Sequence, residues 1–490
     1  MASGPVRGRA TRNGLAFLGI PYAHAERFRA PTPATPWTDL RDVTEAGLCA
    51  PQTTHSIAGF MATAPQGEDC LNLNIFTPAA DGRARPVLVW IHGGAYTHGA
   101  GSEALYDGGR LATRGDVVVV TLNYRLGFLG LLSLPDAGVA PNLALQDQVA
   151  ALRWIQDNIA LFGGDPNLVI VFGESAGARS VGCLLAMPMA RGLMRRAILQ
   201  SGVGRAIAPA SAAQRAEALL LTLGLQRVDA PRLADIPLAD LLAAQAQMTP
   251  LDDELFSFSP VVDGDILPEE PQAAIARGAA SGVDLLIGVN RDEMKLFSAT
   301  PTREALGCED LAARVAKALK LPERAATGRL AAAYEASRRE AGLPSAPTDI
   351  LDAILTDHHF RQPALSLACA QAPHATVYSY LFCHASPARR GLLGACHALE
   401  MAFVFGNLDA PGMDRFAGGG AEAERLSDEM MDAWLAFART GDPSTSRSGG
   451  QWSAYTAQTR TTMIFGTQAS AVCDDPFGGE RQAYWQACLR

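Results

Sequence analysis

The feature that most constrains this chain is a run of apolar residues leading directly into a Gly-x-Ser-x-Gly turn. Residues 168–172 read Leu-Val-Ile-Val-Phe, residues 173–177 read Gly-Glu-Ser-Ala-Gly, and a helical pattern follows. In such a strand–turn–helix unit, the tight turn presents the serine hydroxyl and tolerates almost no side chain two residues before or after it. The sequence therefore predicts that Ser175 is a nucleophile at a helix N-terminus, where N–H groups favour developing negative charge. A chance Gly-Ser-Gly loop is the alternative.

Short apolar runs alternate with longer helical patterns along the chain, and this alternation indicates the fold class. The runs span 87–91, 117–122, 168–172, 197–199, 284–289 and 376–381. Because their hydrophobicity is nearly continuous, they are typical of strands buried on both faces of a parallel sheet. We expect an α/β fold with a mostly parallel, doubly wound sheet.

No Pro/Ser-rich linker divides the chain, so one domain over residues 1–490 is expected. The Ala-rich stretches 207–250 and 302–345 have a helical pattern. We expect them to be helical insertions that cover the active site.

Charge and motif content exclude several function classes. The net charge of −9 disfavours binding to a nucleic-acid backbone, and no apolar run approaches the ~18 residues of a membrane span. The N-terminus does not resemble a signal peptide, which predicts a cytoplasmic protein, or an exported one if a presequence is missing. No CxxC or HExxH motif occurs, so neither a metal nor a cofactor is expected. The oligomeric state is left open.

A second Gly-rich turn follows the run 87–91 and reads His-Gly-Gly-Ala-Tyr over residues 92–96. Ester hydrolysis passes through a tetrahedral oxyanion, which needs preorganised N–H donors close to the reacting carbon. A motif of this type supplies such donors upstream of the nucleophile turn. The candidate donors are the backbone N–H groups of Gly94, Ala95 and Ala176. An ordinary Gly-rich turn is the alternative.

These motifs, together with further segments, resemble those of the type-B carboxylesterase/lipase family, which includes carboxylesterases, cholinesterases and bacterial p-nitrobenzyl esterases. The further segments are residues 17–23, 27–28, 68–74, 123–127, 142–146, 164–166, 200–202, 260–264, 403–406 and 437–443. The resemblance covers nearly the whole chain. It implies an α/β-hydrolase fold and a Ser–Glu–His triad that needs no cofactor.

In α/β-hydrolases the triad residues follow the chain order serine, acid, histidine, so the acid and the histidine are expected after Ser175. The histidines there are His358, His359, His374, His384 and His397. His397 lies in a segment that resembles the catalytic-histidine segment of the family, and the others are expected to be surface or packing residues. The family pattern matches Glu293 as the acid. Asp292 is the competitor, with helix capping or a surface salt bridge as its other role. The family usually has Gly where this chain has Met294.

The resemblance also suggests supporting residues. Ser201 would form a hydrogen bond behind the triad, and Glu174 would either hold the charged imidazole or only pack in the turn. Cys49 and Cys70 match a family disulfide, which would require an oxidising compartment. Residues 52–60 lack the choline-binding Trp of cholinesterases, and a quaternary ammonium needs an aromatic cage. A cholinesterase is therefore disfavoured.

The resulting expectation is a carboxylic-ester hydrolase that forms an acyl-enzyme with small-molecule esters. The substrates would be uncharged and small to medium or bulky, because Gly93-Gly94-Ala95 resembles an oxyanion-loop type with space on the alcohol side. A lipase for longer chains would need a large apolar lid. A catalytically inactive relative of the adhesion type would lack the nucleophile that is present here.

Overall fold

The computed structural model describes residues 3–53, 65–248, 257–299, 305–321, 324–447, 450–466 and 470–488. Within these ranges an eleven-stranded sheet forms the centre of the molecule. Its strands are β1 (Arg9–Thr11), β2 (Gly14–Pro21), β3 (Asn72–Thr77), β4 (Arg85–Ile91), β5 (Val118–Leu122), β6 (Gly164–Glu174), β7 (Arg196–Gln200), β8 (Asp284–Asn290), β9 (Val377–Phe382), β10 (Thr461–Phe465) and β11 (Ala471–Asp474). Across the sheet the order is β11-β10-β9-β8-β7-β6-β4-β5-β3-β2-β1.

The middle of the sheet is parallel and its edges are antiparallel. Neighbouring strands from β5 to β10 pair in parallel, whereas β1, β2, β3 and β11 pair antiparallel with their neighbours. Each of the six predicted runs falls on one of the strands β4 to β9, and no run extends more than one residue beyond its strand. The prediction of an α/β fold with a mostly parallel sheet is therefore confirmed.

Apolar side chains cover both faces of the sheet, because helices pack against each face of a parallel sheet. In β4, Val87, Val89 and Ile91 belong to one buried cluster, and Leu88 and Trp90 belong to a second cluster on the other face. Successive side chains of a strand point to opposite faces. The run is therefore apolar throughout because each of its faces has its own core.

The helices that cover the sheet are α1 (Gly109–Gly115), α2 (Gly127–Leu131), α3 (Leu143–Asn158), α4 (Ala176–Ala186), α5 (Pro209–Thr222), α6 (Leu238–Ala246), α7 (Pro271–Ala276), α8 (Lys295–Ser298), α9 (Cys308–Ala318), α10 (Arg324–Glu340), α11 (Pro347–Thr356), α12 (Gln362–Gln371), α13 (Met401–Val404), α14 (Met413–Phe416), α15 (Ala421–Thr440) and α16 (Gly478–Cys488). None of the helices in the described ranges is both long and apolar enough to cross a membrane.

The two Ala-rich stretches are helical where the structure describes them. The first contains α5 and α6, and the second contains α9 and α10. Residues 249–250, 302–304 and 322–323 lie outside the described ranges. Side chains of α9, α10 and α11 pack with the C-terminal helix α16 in a separate apolar cluster that includes Leu330 and Tyr334. The end of the chain therefore holds the second stretch against the rest of the molecule.

Candidate active site

Ser175 stands between the end of β6 and the start of α4, as the sequence predicts. Its φ of 54° and ψ of −119° lie in a region that costs an L-residue energy and persists only where the surroundings enforce it. The Ser175 N–H donates a hydrogen bond to the carbonyl of Gln200 at 2.9 Å. This bond ties the turn to the end of the neighbouring strand β7.

The glycines on either side of the turn are needed because backbone segments meet there. A Cβ atom at Gly173 would lie 2.6 Å from the carbonyl carbon of Gly177, and one at Gly177 would collide with the carbonyl oxygen of Ile91. Real side chains cannot occupy either place. The turn thus depends on the close approach of β4, β6 and α4.

His397 joins Ser175 to Glu293 through hydrogen-bonding distances on both of its ring nitrogens. Its Nε2 lies 2.8 Å from the Ser175 Oγ, and its Nδ1 lies 2.6 Å from the Glu293 Oε2. All three side chains are buried. The Asn290 N–H donates to the other Glu293 oxygen at 2.7 Å, which fixes the carboxylate at the end of β8. The structure thus brings the three predicted residues together.

Asp292, the competing acid, is engaged elsewhere. Its carboxylate lies 3.0 Å from Arg291 and 3.5 Å from Arg338, and it accepts a hydrogen bond from the Ala395 N–H at 3.0 Å. The side chain is 5% exposed, so its ion pairs are buried, unlike the surface salt bridge that was one of its two alternative roles. Asp292 acts as an internal anchor for the segment that precedes His397.

Met294 causes no strain where the family usually has Gly. Its φ of −64° and ψ of −19° are ordinary helical values. Its side chain is buried, and its N–H donates to the Thr356 Oγ1 at 3.1 Å. The departure from the family pattern is therefore absorbed by packing.

The other histidines after Ser175 contact groups away from the triad. A ring nitrogen lies within 3.0 Å of a partner in three of them: His358 with the Tyr484 hydroxyl, His374 with the Ala276 carbonyl and His384 with the Ala417 carbonyl. The ring of His359 packs on that of His358, with centroids 4.8 Å apart. The structure brings His397 alone among the five to Ser175.

The second Gly-rich turn lies beside Ser175 and leaves N–H groups available. Gly94 has a φ of +103° and Ala95 one of 55°. The Gly94 carbonyl accepts hydrogen bonds from Thr97 and His98 within the turn. Among the described residues, no acceptor takes the N–H of Gly94, Ala95 or Ala176. These are the three predicted oxyanion donors.

A model of the carboxylesterase family matches residues 1–485. The chain belongs to the carboxylesterase family. Para-nitrobenzyl esterase of Bacillus subtilis is 42% identical to this carboxylesterase over 493 residues, covering 98% of this chain and 96% of that protein. The family resemblance is therefore confirmed, and the protein is a carboxylic-ester hydrolase.

Other relatives agree with this assignment. A solved carboxylesterase of Geobacillus stearothermophilus superposes with a TM-score of 0.86 at 43% identity, covering 98% of each chain. The phenmedipham hydrolase of Pseudarthrobacter oxydans is 35% identical over 486 residues, covering 96% of this chain and 95% of that protein. The fold of this carboxylesterase is accordingly the α/β-hydrolase fold.

Glu174 places a second carboxylate beside the imidazole of the carboxylesterase. Its Oε1 lies 3.0 Å from the His397 Nε2, the same nitrogen that faces Ser175. Burial raises the pKa of Glu174 to about 8. Burial alone would lower the pKa of His397, but the carboxylates of Glu174 and Glu293 outweigh it and raise that pKa to about 9. The contact supports the first of the two roles considered for Glu174, that of holding the charged imidazole.

Ser201 does not form the hydrogen bond that the resemblance suggests. Its N–H donates to the Gly288 carbonyl at 2.9 Å, but its buried Oγ has no hydrogen-bond partner among the described residues. For the described part of the chain, the prediction that the Ser201 hydroxyl forms a hydrogen bond behind the triad is therefore wrong. The hydrogen bonds behind the acid involve Glu400 instead, whose carboxylate accepts from Gln200 at 3.1 Å and from Asn290 at 2.6 Å.

His92 is a supporting residue whose role could not be inferred from its motif. The Tyr124 hydroxyl donates to the His92 carbonyl at 2.7 Å, and the two rings stack with centroids 4.5 Å apart. Burial lowers the pKa of His92 to about 4, so the ring is neutral at physiological pH. His92 thus anchors the Gly-rich turn and adds no charge to it.

A cavity lies over Ser175. Its walls include residues that sequence reasoning missed, namely Glu103, Tyr106, Leu296, Phe297 and Met401. The described parts of the two Ala-rich stretches contribute no lining side chain. Phe297 was detectable in principle, since it follows the acid by one helical turn, and its ring centroid lies 5.2 Å from that of His397. Within the described ranges, no three His, Cys, Asp or Glu side chains form a potential metal site.

Cys49 and Cys70 are both buried, and in this part of the chain the structure does not join them by a disulfide. Burial raises the pKa of both thiols. Because the thiolate is the reactive form, buried thiols of this kind oxidise slowly. Their pairing in an oxidising compartment stays a prediction.

Proposed function

We propose that this carboxylesterase works through an acyl-enzyme, with Ser175 as the nucleophile, His397 as the general base and Glu293 as the orienting acid. The observation that carries the proposal is the unbroken chain of short contacts from the Ser175 Oγ through both ring nitrogens of His397 to Glu293. A serine hydroxyl is a weak nucleophile unless an adjacent base accepts its proton. The carboxylate on Nδ1 holds the tautomer whose Nε2 can accept it.

In the first half-reaction, the Ser175 oxygen attacks the ester carbonyl carbon while its proton moves to the His397 Nε2. The N–H groups of Gly94, Ala95 and Ala176 stabilise the oxyanion, and the alcohol leaves with the proton from His397. In the second half-reaction, His397 takes a proton from water, which attacks the acyl carbon. The acid then leaves and Ser175 regains its proton.

The proposed substrates are uncharged esters of small to medium size or with bulky alcohol groups, para-nitrobenzyl esters among them. The name of the Bacillus subtilis relative supports the last class. The cavity over Ser175 combines apolar walls with a few polar groups, as small-molecule sites do. Gly93 and Gly94 have no side chain and Ala95 has only a methyl group, which supports access of bulky alcohol groups to the cavity.

The test is Ser175→Ala, with Ser201→Ala as a matched control. Both serines are buried, follow adjacent parallel strands and have a φ of 54°. We expect Ser175→Ala to lower kcat by about 10⁴- to 10⁶-fold and to abolish labelling by a fluorophosphonate. Ser201→Ala should keep both activities. Turnover of p-nitrobenzyl acetate by Ser175→Ala at the wild-type rate would refute the mechanism.

A further inference from the structure

Glu103 is a carboxyl group on the cavity wall that the proposed mechanism does not use. It precedes the short helical turn Ala104–Tyr106 and lines the same cavity as Ser175 and Tyr106. The residue is 8% exposed. A carboxyl group so deeply placed is costly unless its charge or its hydrogen bonds are satisfied.

In the part of the chain that it describes, the structure shows a hydrogen bond to only one of the two oxygens of the Glu103 carboxyl group. One oxygen, Oε1, accepts a hydrogen bond from the Ala100 N–H at 3.0 Å. Among the described residues, no Lys, Arg or His forms an ion pair with Glu103, and burial outweighs the single hydrogen bond and raises its pKa to about 7. Glu103 therefore ionises near neutrality with no cationic partner from the described protein.

The groups around Glu103 do not supply the missing positive charge. The titratable side chains that share its cavity are His98, Tyr106, Glu174 and His397, and Cys49 is close enough to interact electrostatically with it. His98 is engaged by the Thr97 hydroxyl at 2.6 Å, and His397 is held by Glu293 and Glu174. The wall thus has two carboxyl groups, of which only Glu174 faces a cation.

We propose that Glu103 is a specificity-determining residue that accepts a hydrogen bond from a protonated amine of the ester substrate. The proposal rests on the ester hydrolysis assigned to Ser175 and adds a second substrate class, aminoalkyl or aminoacyl esters, to the uncharged ones. A charge-assisted N–H···O bond is directional and strong. A quaternary ammonium has no N–H group to donate, so Glu103 does not select for it.

The experiment compares Glu103→Gln with the wild-type enzyme. Glutamine keeps an oxygen for the Ala100 N–H and removes the charge. Each amine-bearing ester is paired with a carbon analogue of the same shape: dimethylaminoethyl acetate with isoamyl acetate, and the ethyl ester of β-alanine with ethyl butyrate. The measured quantity is the ratio of kcat/KM within each pair, because this ratio cancels any general loss of activity or of folded enzyme.

We expect Glu103→Gln to lower the ratio of at least one pair by roughly 10- to 100-fold. In the wild type that ratio should rise as the pH passes upward through 7, because Glu103 becomes ionised while the aliphatic amine is still protonated. The rise should be absent in Glu103→Gln. Glu422→Gln, which removes an exposed carboxylate at the start of α15, controls for net charge and should leave both ratios unchanged.

Several results would overturn the proposal. If Glu103→Gln left the ratios of both pairs unchanged, Glu103 would not determine specificity for amine-bearing esters. An equal effect of the substitution on acetylcholine, relative to its neutral analogue dimethylbutyl acetate, would indicate general attraction of cations and not N–H recognition. Ser175→Ala separates the two proposals: if it hydrolyses isoamyl acetate normally, the proposed catalytic mechanism fails, whatever the ratios are.

Discussion

At the scale of single residues, His397 is held from three sides. Its Nδ1 faces Glu293, its Nε2 faces Ser175, and Glu174 lies beside that same Nε2. Both carboxylates favour the imidazolium, which stabilises the charge that forms when Ser175 loses its proton. The same charges raise the pKa of His397, so a higher pH is needed before the imidazole of the free enzyme is neutral and can act as a base.

This balance predicts the pH dependence of the enzyme. With a His397 pKa of about 9, kcat/KM should rise with pH toward that value, because only neutral imidazole accepts the proton. Glu174→Gln removes a carboxylate that raises this pKa, so the acid limb should move to lower pH by roughly one unit or more. The measurement is kcat/KM for p-nitrobenzyl acetate across pH. An unmoved limb, or one displaced to higher pH, would contradict the role given to Glu174.

The two neighbouring carboxylates should respond differently to neutralisation. Glu293→Gln should lower kcat by about 10³- to 10⁴-fold, because the amide no longer holds the required tautomer or stabilises the imidazolium. Asp292→Asn should leave most of kcat but destabilise the fold, because Arg291 and Arg338 lose a buried partner, a loss that can cost ~3–5 kcal/mol. Turnover and thermal unfolding of both variants test this. The reverse order in kcat would reassign the acid to Asp292.

At the scale of elements, the turn between β6 and α4 depends on close packing of backbone. Gly177→Ala should destabilise the protein by ~3 kcal/mol or more, because its Cβ atom would meet the Ile91 carbonyl. Gly328→Ala is the matched control, since it lies in α10 with open space around its Cβ position. It should stabilise by ~0.5–1 kcal/mol. Denaturant unfolding measures both. Equal stabilities would contradict the tight packing inferred at Gly177.

The sequence predicts well those elements whose residues are packed against other segments on both faces. The strand β6 and the glycines around Ser175 follow from local pattern, because few other residues fit there. Glu293 and His397 required the family resemblance, since no local signal separates them from Asp292 and His384. Glu103 and Glu400 escaped detection because their burial arises from segments far away in the chain. The role of Ser201 was mispredicted for a similar reason, because Gln200 and Asn290 already pair with Glu400 behind the acid.

At the scale of the whole molecule, strand content was predictable but strand order was not. In the sheet, β4 lies between β5 and β6, an arrangement set by crossover connections and not by any one segment. Burial of both sheet faces explains why the apolar runs are continuous. The single domain over residues 1–490 and the cellular location, either cytoplasmic or exported, stay predictions.

The contact between Ser175 and His397 also bears on how this protein is made. The two residues are 222 positions apart in the chain, and Glu293 lies between them, 104 positions before His397. Contacts of such long sequence separation close slowly, because the intervening chain must be organised first. A ribosome must therefore have released most of the polypeptide before the three groups can meet. During refolding, ester turnover should therefore recover later than the helical circular dichroism signal. The recovery of turnover would then measure the last step of folding, in which the triad residues meet.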